Sequence, residues 1–189
     1  MAEAIRSFIA FDINNESILQ RMKDFQTQLA KVGADLKLVE PENIHVTLRF
    51  LGNITPATAE KIFEGMKKLQ FVPFDVKIHG VGAFPDLRYP RVLWAGITQG
   101  SDELRGIFGQ LEPRLRSLGF AADPKGFSPH LTVARVKSGR NKADLAKIMV
   151  ENADYDFGIM KAQCIKLKRS DLTPRGPIYS TLKEFCPEA

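Results

Sequence analysis

The strongest constraint on this chain's fold is a repetition: His45-Val46-Thr47 in its first half is matched by His130-Leu131-Thr132 in its second. The two triplets are separated by close to half of the 189 residues, and each lies in a run of β-branched and apolar residues. A period this long is too large for a solenoid and points to two lobes facing each other. Hydrophobic periodicity around each copy supports the same reading. Residues 5–13 read as a buried strand, residues 16–31 as an amphipathic helix ended by Gly33, and residues 43–51 as a second strand. Thr55 and Pro56 supply a cap and a first-turn proline for the next helix, and residues 74–81 make a third strand. The second half repeats the order. A strand lies at 92–98, then a Ser101-capped helix kinked or broken at Pro113, a strand within 126–136, and a helix around Leu145 and Met149. One long strand at 156–168 and a returning strand at 178–185 complete it.

The expected fold is therefore α+β and bilobal, with duplicated βαβαβ lobes related by a pseudo-two-fold and two sheets facing a central cleft with helices outside. The whole chain, 1–189, reads as a single domain. Its first repeat covers about 1–83 and its second 91–189, an arrangement compatible with some strand exchange between lobes. The turn-rich segment 84–91 is the expected crossing.

Side chains two apart on a strand share a face. His45, Thr47 and Arg49 thus fall on one side of the first motif strand, with Ile44, Val46, Leu48 and Phe50 on the other. In the second copy His130 and Thr132 oppose Leu131 and Val133. Packed about a local two-fold, the polar faces would put two imidazoles and two threonine hydroxyls around one bound group. One imidazole near its ordinary pKa can accept a proton while the other donates one, and the hydroxyls can hydrogen-bond non-bridging phosphate oxygens. No metal or other cofactor is needed for this scheme. The third histidine, His79, has no threonine two residues on and is assigned a structural or surface role.

These motifs, with their flanks His45-Val46-Thr47-Leu48-Arg49-Phe50-Leu51-Gly52 and Ser128-Pro129-His130-Leu131-Thr132-Val133-Ala134-Arg135, resemble those of the 2H phosphoesterase superfamily. More narrowly, the chain looks like the RNA 2′,3′-cyclic phosphodiesterase branch, also called the 2′-5′ RNA ligase or ThpR family. Arg6-Ser7-Phe8-Ile9-Ala10 and Tyr179 also fit. The resemblance implies hydrolysis of RNA 2′,3′-cyclic phosphate ends to 2′-phosphates, with His45 as proton donor and His130 as proton acceptor. It implies substrate contacts from Thr47, Thr132 and Arg135, whereas strand alternation would send Arg135 to the opposite face from His130 unless a bulge intervenes. Phe50, the corresponding residue after His45, is a candidate base contact, and Arg49 faces the cleft by parity. Alternatives are 2′-5′ joining of RNA ends such as tRNA halves, turnover of small cyclic nucleotides or ADP-ribose cyclic phosphates, and a non-catalytic RNA-binding module.

The net charge of +5 is consistent with an anionic partner. Lys161, Lys166, Lys168, Arg169 and Arg175, with Lys137 and Arg140, are candidates for RNA backbone contacts. No apolar run approaches a membrane span and the start lacks the pattern of a secretory leader, so a cytoplasmic protein is expected. Cys164 and Cys186 are accordingly expected as two reduced thiols. Expected partners are RNA ends or small cyclic nucleotides, with no membrane and no obligate protein partner. Two lobes in one chain complete the site, so a monomer suffices.

Overall fold

A computed structural model describes residues 3–188. The elements run β1 (Ile5–Asp12), α1 (Glu16–Lys31), β2 (Leu36–Leu38), a 3-10 turn (Pro41–Asn43), β3 (His45–Ile54), α2 (Pro56–Met66) and β4 (Phe74–Phe84). They continue with β5 (Val92–Ile97), α3 (Ser101–Ser117), β6 (His130–Val136), α4 (Lys142–Glu151), β7 (Asp156–Ala162), β8 (Ile165–Thr173) and β9 (Gly176–Phe185). Local chemistry sets several boundaries. The Asn15 side chain accepts from the Ile18 amide to start α1, and Thr55 accepts from the Thr58 amide with Pro56 in the first turn of α2. The expected Ser101 cap is displaced by one residue. Gly100, at φ 87°, takes the cap position, and the Ser101 hydroxyl instead donates back to the Ile97 carbonyl. Pro113 lies inside α3 without ending it.

Two antiparallel sheets carry the fold, one in the order β3-β1-β8-β9 and the other β2-β6-β5-β4-β7. Helices α2 and α3 contact the first sheet, α1 contacts the second, and α4 packs beside α1. The duplication is visible in the matching orders β3-β1-β8-β9 and β6-β5-β4-β7. The sequence halves are not the spatial lobes, however. Strand β4 and helix α1 from the first half belong with the second sheet, while β8, β9 and α3 from the second half belong with the first. Each sheet thus draws strands from both sequence halves, the kind of strand exchange that the repeat boundaries 1–83 and 91–189 allow for.

Two expectations about single segments are corrected by the sheet topology. The single strand expected at 156–168 is two strands, because β7 lies at the edge of one sheet and β8 beside β1 in the other. One continuous strand cannot pair in both. The segment 84–91 is not the crossing between lobes. It closes a hairpin between neighbouring β4 and β5, with the Arg91 amide donating to the Phe84 carbonyl and Asp86 Oδ1 accepting from the Arg88 and Tyr89 amides. Apolar side chains of both sheets and all four helices form one buried cluster that includes Phe11, Phe25, Leu29, Val46, Leu93, Leu104, Val133 and Phe157. Burying side chains of this size stabilises by about 1.5–3 kcal/mol each, so the motif strands are anchored by their inward faces. No helix among the described residues is long and apolar enough to cross a membrane.

The cysteines are not free thiols. Cys164 precedes β8 and Cys186 follows β9, and the pairing of Ile165 with Phe185 brings them together as a disulfide with Cα atoms 4.2 Å apart. Compartment rules read composition, whereas strand pairing sets which cysteines meet.

Candidate active site

Strands β3 and β6 contact each other where the two sheets meet, which brings both motifs to one place. Each histidine is held in the same way. Nδ1 of His45 lies 2.7 Å from the Asn43 carbonyl, and Nδ1 of His130 lies 2.7 Å from the Ser128 carbonyl. A carbonyl only accepts, so Nδ1 carries the proton and Nε2 is left free to exchange protons with a substrate. The Phe8 ring stacks on His45 at 4.8 Å and Tyr179 meets it edge-on at 5.3 Å. His130 is braced edge-on by Phe84 at 5.0 Å. Neither the Thr47 nor the Thr132 hydroxyl is engaged by another group among the described residues, and both side chains are half-buried.

Burial pushes both imidazoles below their ordinary pKa of 6.5. At His45 the Asn43 hydrogen bond and the charge of Asp12 oppose burial, while Lys168 and His130 add to it. Asp12 is the ladder partner of His45, and its carboxylate accepts from Lys168 Nζ at 2.9 Å and Lys166 Nζ at 3.0 Å. Burial works against the Asp12 carboxylate, but the two ammonium groups outweigh it and hold its pKa low. Lys168 is only 8% exposed, and the strand pairings place Asp12, Lys166 and Lys168 on the same sheet face as His45.

Alternation fails after both motifs, at matching places. In the β1–β3 ladder Ile9 pairs with Arg49 and Ala10 with Thr47, so Leu48 is an extra residue. In the β5–β6 ladder Leu93 pairs with Ala134 and Trp94 with Thr132, so Val133 is the extra residue. Such a bulge re-aims every side chain beyond it. Arg49 is turned away from the cleft. Its Nε donates to Glu112 of α3 at 2.7 Å, and the guanidinium also donates to the Ala121 and Phe50 carbonyls. The parity expectation for Arg49 is thus corrected, since its charge is spent fastening α3. Phe50 takes the position that parity assigned to Arg49. It is 60% exposed and its ring lies 6.1 Å from Phe8.

On the other side the bulge brings Arg135 towards the cleft, where its charge, with that of Arg6, acts on the half-buried Tyr179 hydroxyl. Burial raises the Tyr179 pKa, and the two arginines oppose the rise. Lys37 is the ladder partner of Arg135. The carbonyl of bulged Val133 is not wasted, because it accepts from the Val39 amide and from Nε2 of buried Gln26.

Most of the other basic candidates are neutralised. Lys161 pairs with Asp75, Arg169 with Asp171 and Glu3, and Lys166 and Lys168 with Asp12. Arg175 sits on the β8–β9 turn and Lys137 and Arg140 follow β6, none with a carboxylate partner among the described residues. His79 lies on β4, paired through the backbone with Asp156, away from the two motif strands. Phe8 lies in the Arg6–Ala10 segment that the resemblance already singles out, whereas Phe84, Trp94 and Asp12 are additions from the structure. Of these only Trp94, the single tryptophan of the chain, stands out in the sequence.

The chain matches the family described as "AKAP7 2'5' RNA ligase-like domain" over residues 7–185. It is 41% identical to the RNA 2′,3′-cyclic phosphodiesterase of Aeropyrum pernix, over 88% of this chain and 93% of that protein. Identity to the protein of the same name from Archaeoglobus fulgidus is 39%, over 96% and 99%. Among solved structures, TT0787 of Thermus thermophilus superposes with a TM-score of 0.78 at 25% identity, covering 96% of this chain and 97% of that one. Escherichia coli LigT complexed with 3′-AMP superposes with a TM-score of 0.77 at 20% identity, covering 97% and 98%, and shares the fold. With two His-x-Thr motifs on paired sheets and this breadth of similarity, the chain belongs to the 2′-5′ RNA ligase-like family of two-histidine phosphoesterases.

Proposed function

We propose that this protein hydrolyses RNA 2′,3′-cyclic phosphate ends to 2′-phosphates by acid–base catalysis between His45 and His130. The observation that carries the reading is the identical tethering of the two imidazoles, each with Nδ1 on the carbonyl two residues back and Nε2 free. The names of the similar proteins from Aeropyrum pernix and Archaeoglobus fulgidus support the substrate class. His130 takes a proton from water as its oxygen attacks phosphorus. The bond from phosphorus to O3′ breaks in line, and His45 delivers a proton to O3′. Thr47 and Thr132 donate to the non-bridging oxygens, where charge accumulates, and Arg135 adds a fixed positive charge. Phe50 offers an exposed face for a base. No metal or other cofactor takes part in this scheme.

With a 5′-hydroxyl in place of water as nucleophile, the same base and acid work in the same direction: O5′ bonds phosphorus, the bond to O3′ breaks and takes the proton from His45, and a 2′-5′ linkage forms, in keeping with the ligase-like description of the family. One chain supplies both motifs, so the protein acts as a monomer, in the cytoplasm where RNA ends arise. The test is product identity. An oligonucleotide ending in a 2′,3′-cyclic phosphate, incubated with chelator, should yield the 2′-phosphate. A 3′-phosphate product, or no turnover, would overturn the assignment.

A further inference from the structure

Trp94 is placed as a floor of the cleft. It is the ladder partner of Thr132 on β6, so the two side chains rise from the same face of the sheet. On its other side it pairs with Gly82 of β4. A Cβ at Gly82 would run into the indole Cζ2 and Cη2. One at Gly96 would lie 3.4 Å from Cζ3. The indole therefore lies down across the backbone of two neighbouring strands, in a bed that only glycine leaves open. Phe84 flanks it at 5.4 Å and in turn meets His130 edge-on. The side chain stays partly exposed, while its buried N–H finds no acceptor among the described residues. Hydrogen bonding thus does not explain why an indole is kept here. What the arrangement provides is a broad, rigid π-face, beside Thr132 and one ring away from His130.

We infer that Trp94 is a stacking platform for a nucleobase of the bound RNA, a subsite separate from Phe50 on the facing sheet. The inference rests on the phosphoesterase reading and adds a base-recognition element to it. Stacking is tolerant of base identity, because every base has a π-face. The platform therefore sets affinity for a nucleotide over a bare phosphate ester rather than sequence preference.

Because Trp94 is the only tryptophan, its emission reports on the subsite directly. Adenosine 2′-phosphate, titrated into the full chain, should quench that emission saturably and inhibit hydrolysis over the same concentration range. Ribose 5-phosphate and inorganic phosphate should leave emission unchanged. Trp94→Ala should raise KM for an oligonucleotide substrate by about tenfold, the size of a lost base stack. Trp94→Phe should recover most of that loss and serves as the check if the alanine variant fails to fold. Inhibition by adenosine 2′-phosphate without quenching overturns the platform and leaves the phosphoesterase reading standing. Equal quenching by inorganic phosphate overturns it too. Absence of inhibition, quenching and turnover together overturns both.

Discussion

Leu48 and Val133 are the extra residues of two matching bulges, each three positions beyond a motif histidine. Both are fully or almost fully buried. Their effect is to separate what alternation would join. Arg49 leaves the cleft face for α3, and the residue five past each histidine, Phe50 or Arg135, replaces it. The two repeats thus share the His-x-Thr pair but differ at the next cleft-facing position, which holds an aromatic ring in one and a cation in the other.

Arg49 and Phe50, though adjacent, should respond to mutation in opposite ways. Glu112→Ala would strand the Arg49 charge, since the two side chains are only 11% and 12% exposed. Breaking such a pair is expected to cost about 3 kcal/mol, less where solvent still reaches it. Denaturant titration should show that loss, while KM stays within about twofold of wild type. Phe50→Ala should do the reverse, raising KM about tenfold if the ring stacks on a base, with an unchanged denaturation midpoint. A KM effect from Glu112→Ala in a fully folded protein would contradict the division of roles.

Acidity should act first through the histidines. Both folded-state pKa values lie below 6.5, the ordinary value expected when unfolded. Above that pH neither state is protonated, and stability is insensitive to these groups. As pH falls below 6.5 the unfolded chain takes up protons that the folded chain refuses, so stability declines until the folded values are reached. Thermal melts across this window should fall with pH in the wild type, and less steeply in His45→Gln and His130→Gln. Asp12 acts lower down. Its depressed pKa contributes stability above about 3.8, which is lost as pH falls through the folded value. The proposed mechanism uses one protonated and one neutral imidazole, so under it kcat/KM should peak on the acid side of 6.5. A free-enzyme optimum above about 8 would contradict the burial of the pair.

The disulfide joins residues 22 apart in sequence and ties the end of β9 to the start of β8. Chain-entropy reasoning assigns a loop of that length about 3 kcal/mol. Cys164→Ser/Cys186→Ser should lose stability of that order in denaturant titrations. Activity at 25 °C should persist, because neither cysteine contacts the histidines. Unchanged stability in the double variant would show that strand pairing alone holds β9 in place.

How much of the fold and site is legible in the sequence depends on the range of each interaction. The α1 boundaries, the Thr55-Pro56 start of α2 and the motif strands rest on local spacing and capping, and the sequence reading places them closely. The duplication is readable because the motif repeats. Which sheet each third strand joins is not, since β4 and β8 cross between sheets through pairings with β5 and β1 that leave no local mark. The same holds for Cys164 with Cys186. Arg49 is misplaced by parity for a different reason. Parity is reliable only up to the first bulge, and nothing in Thr47-Leu48-Arg49 announces one.

The central claim is that His45 and His130 act together on one phosphate. Single-turnover hydrolysis of an RNA ending in a 2′,3′-cyclic phosphate, with chelator present, tests it most directly in wild type, His45→Ala and His130→Ala. Loss of acid or base should slow the chemical step by roughly 10²–10⁴-fold in each variant, with the fold intact by circular dichroism. A rate within about tenfold of wild type in either folded variant would contradict a shared two-histidine site.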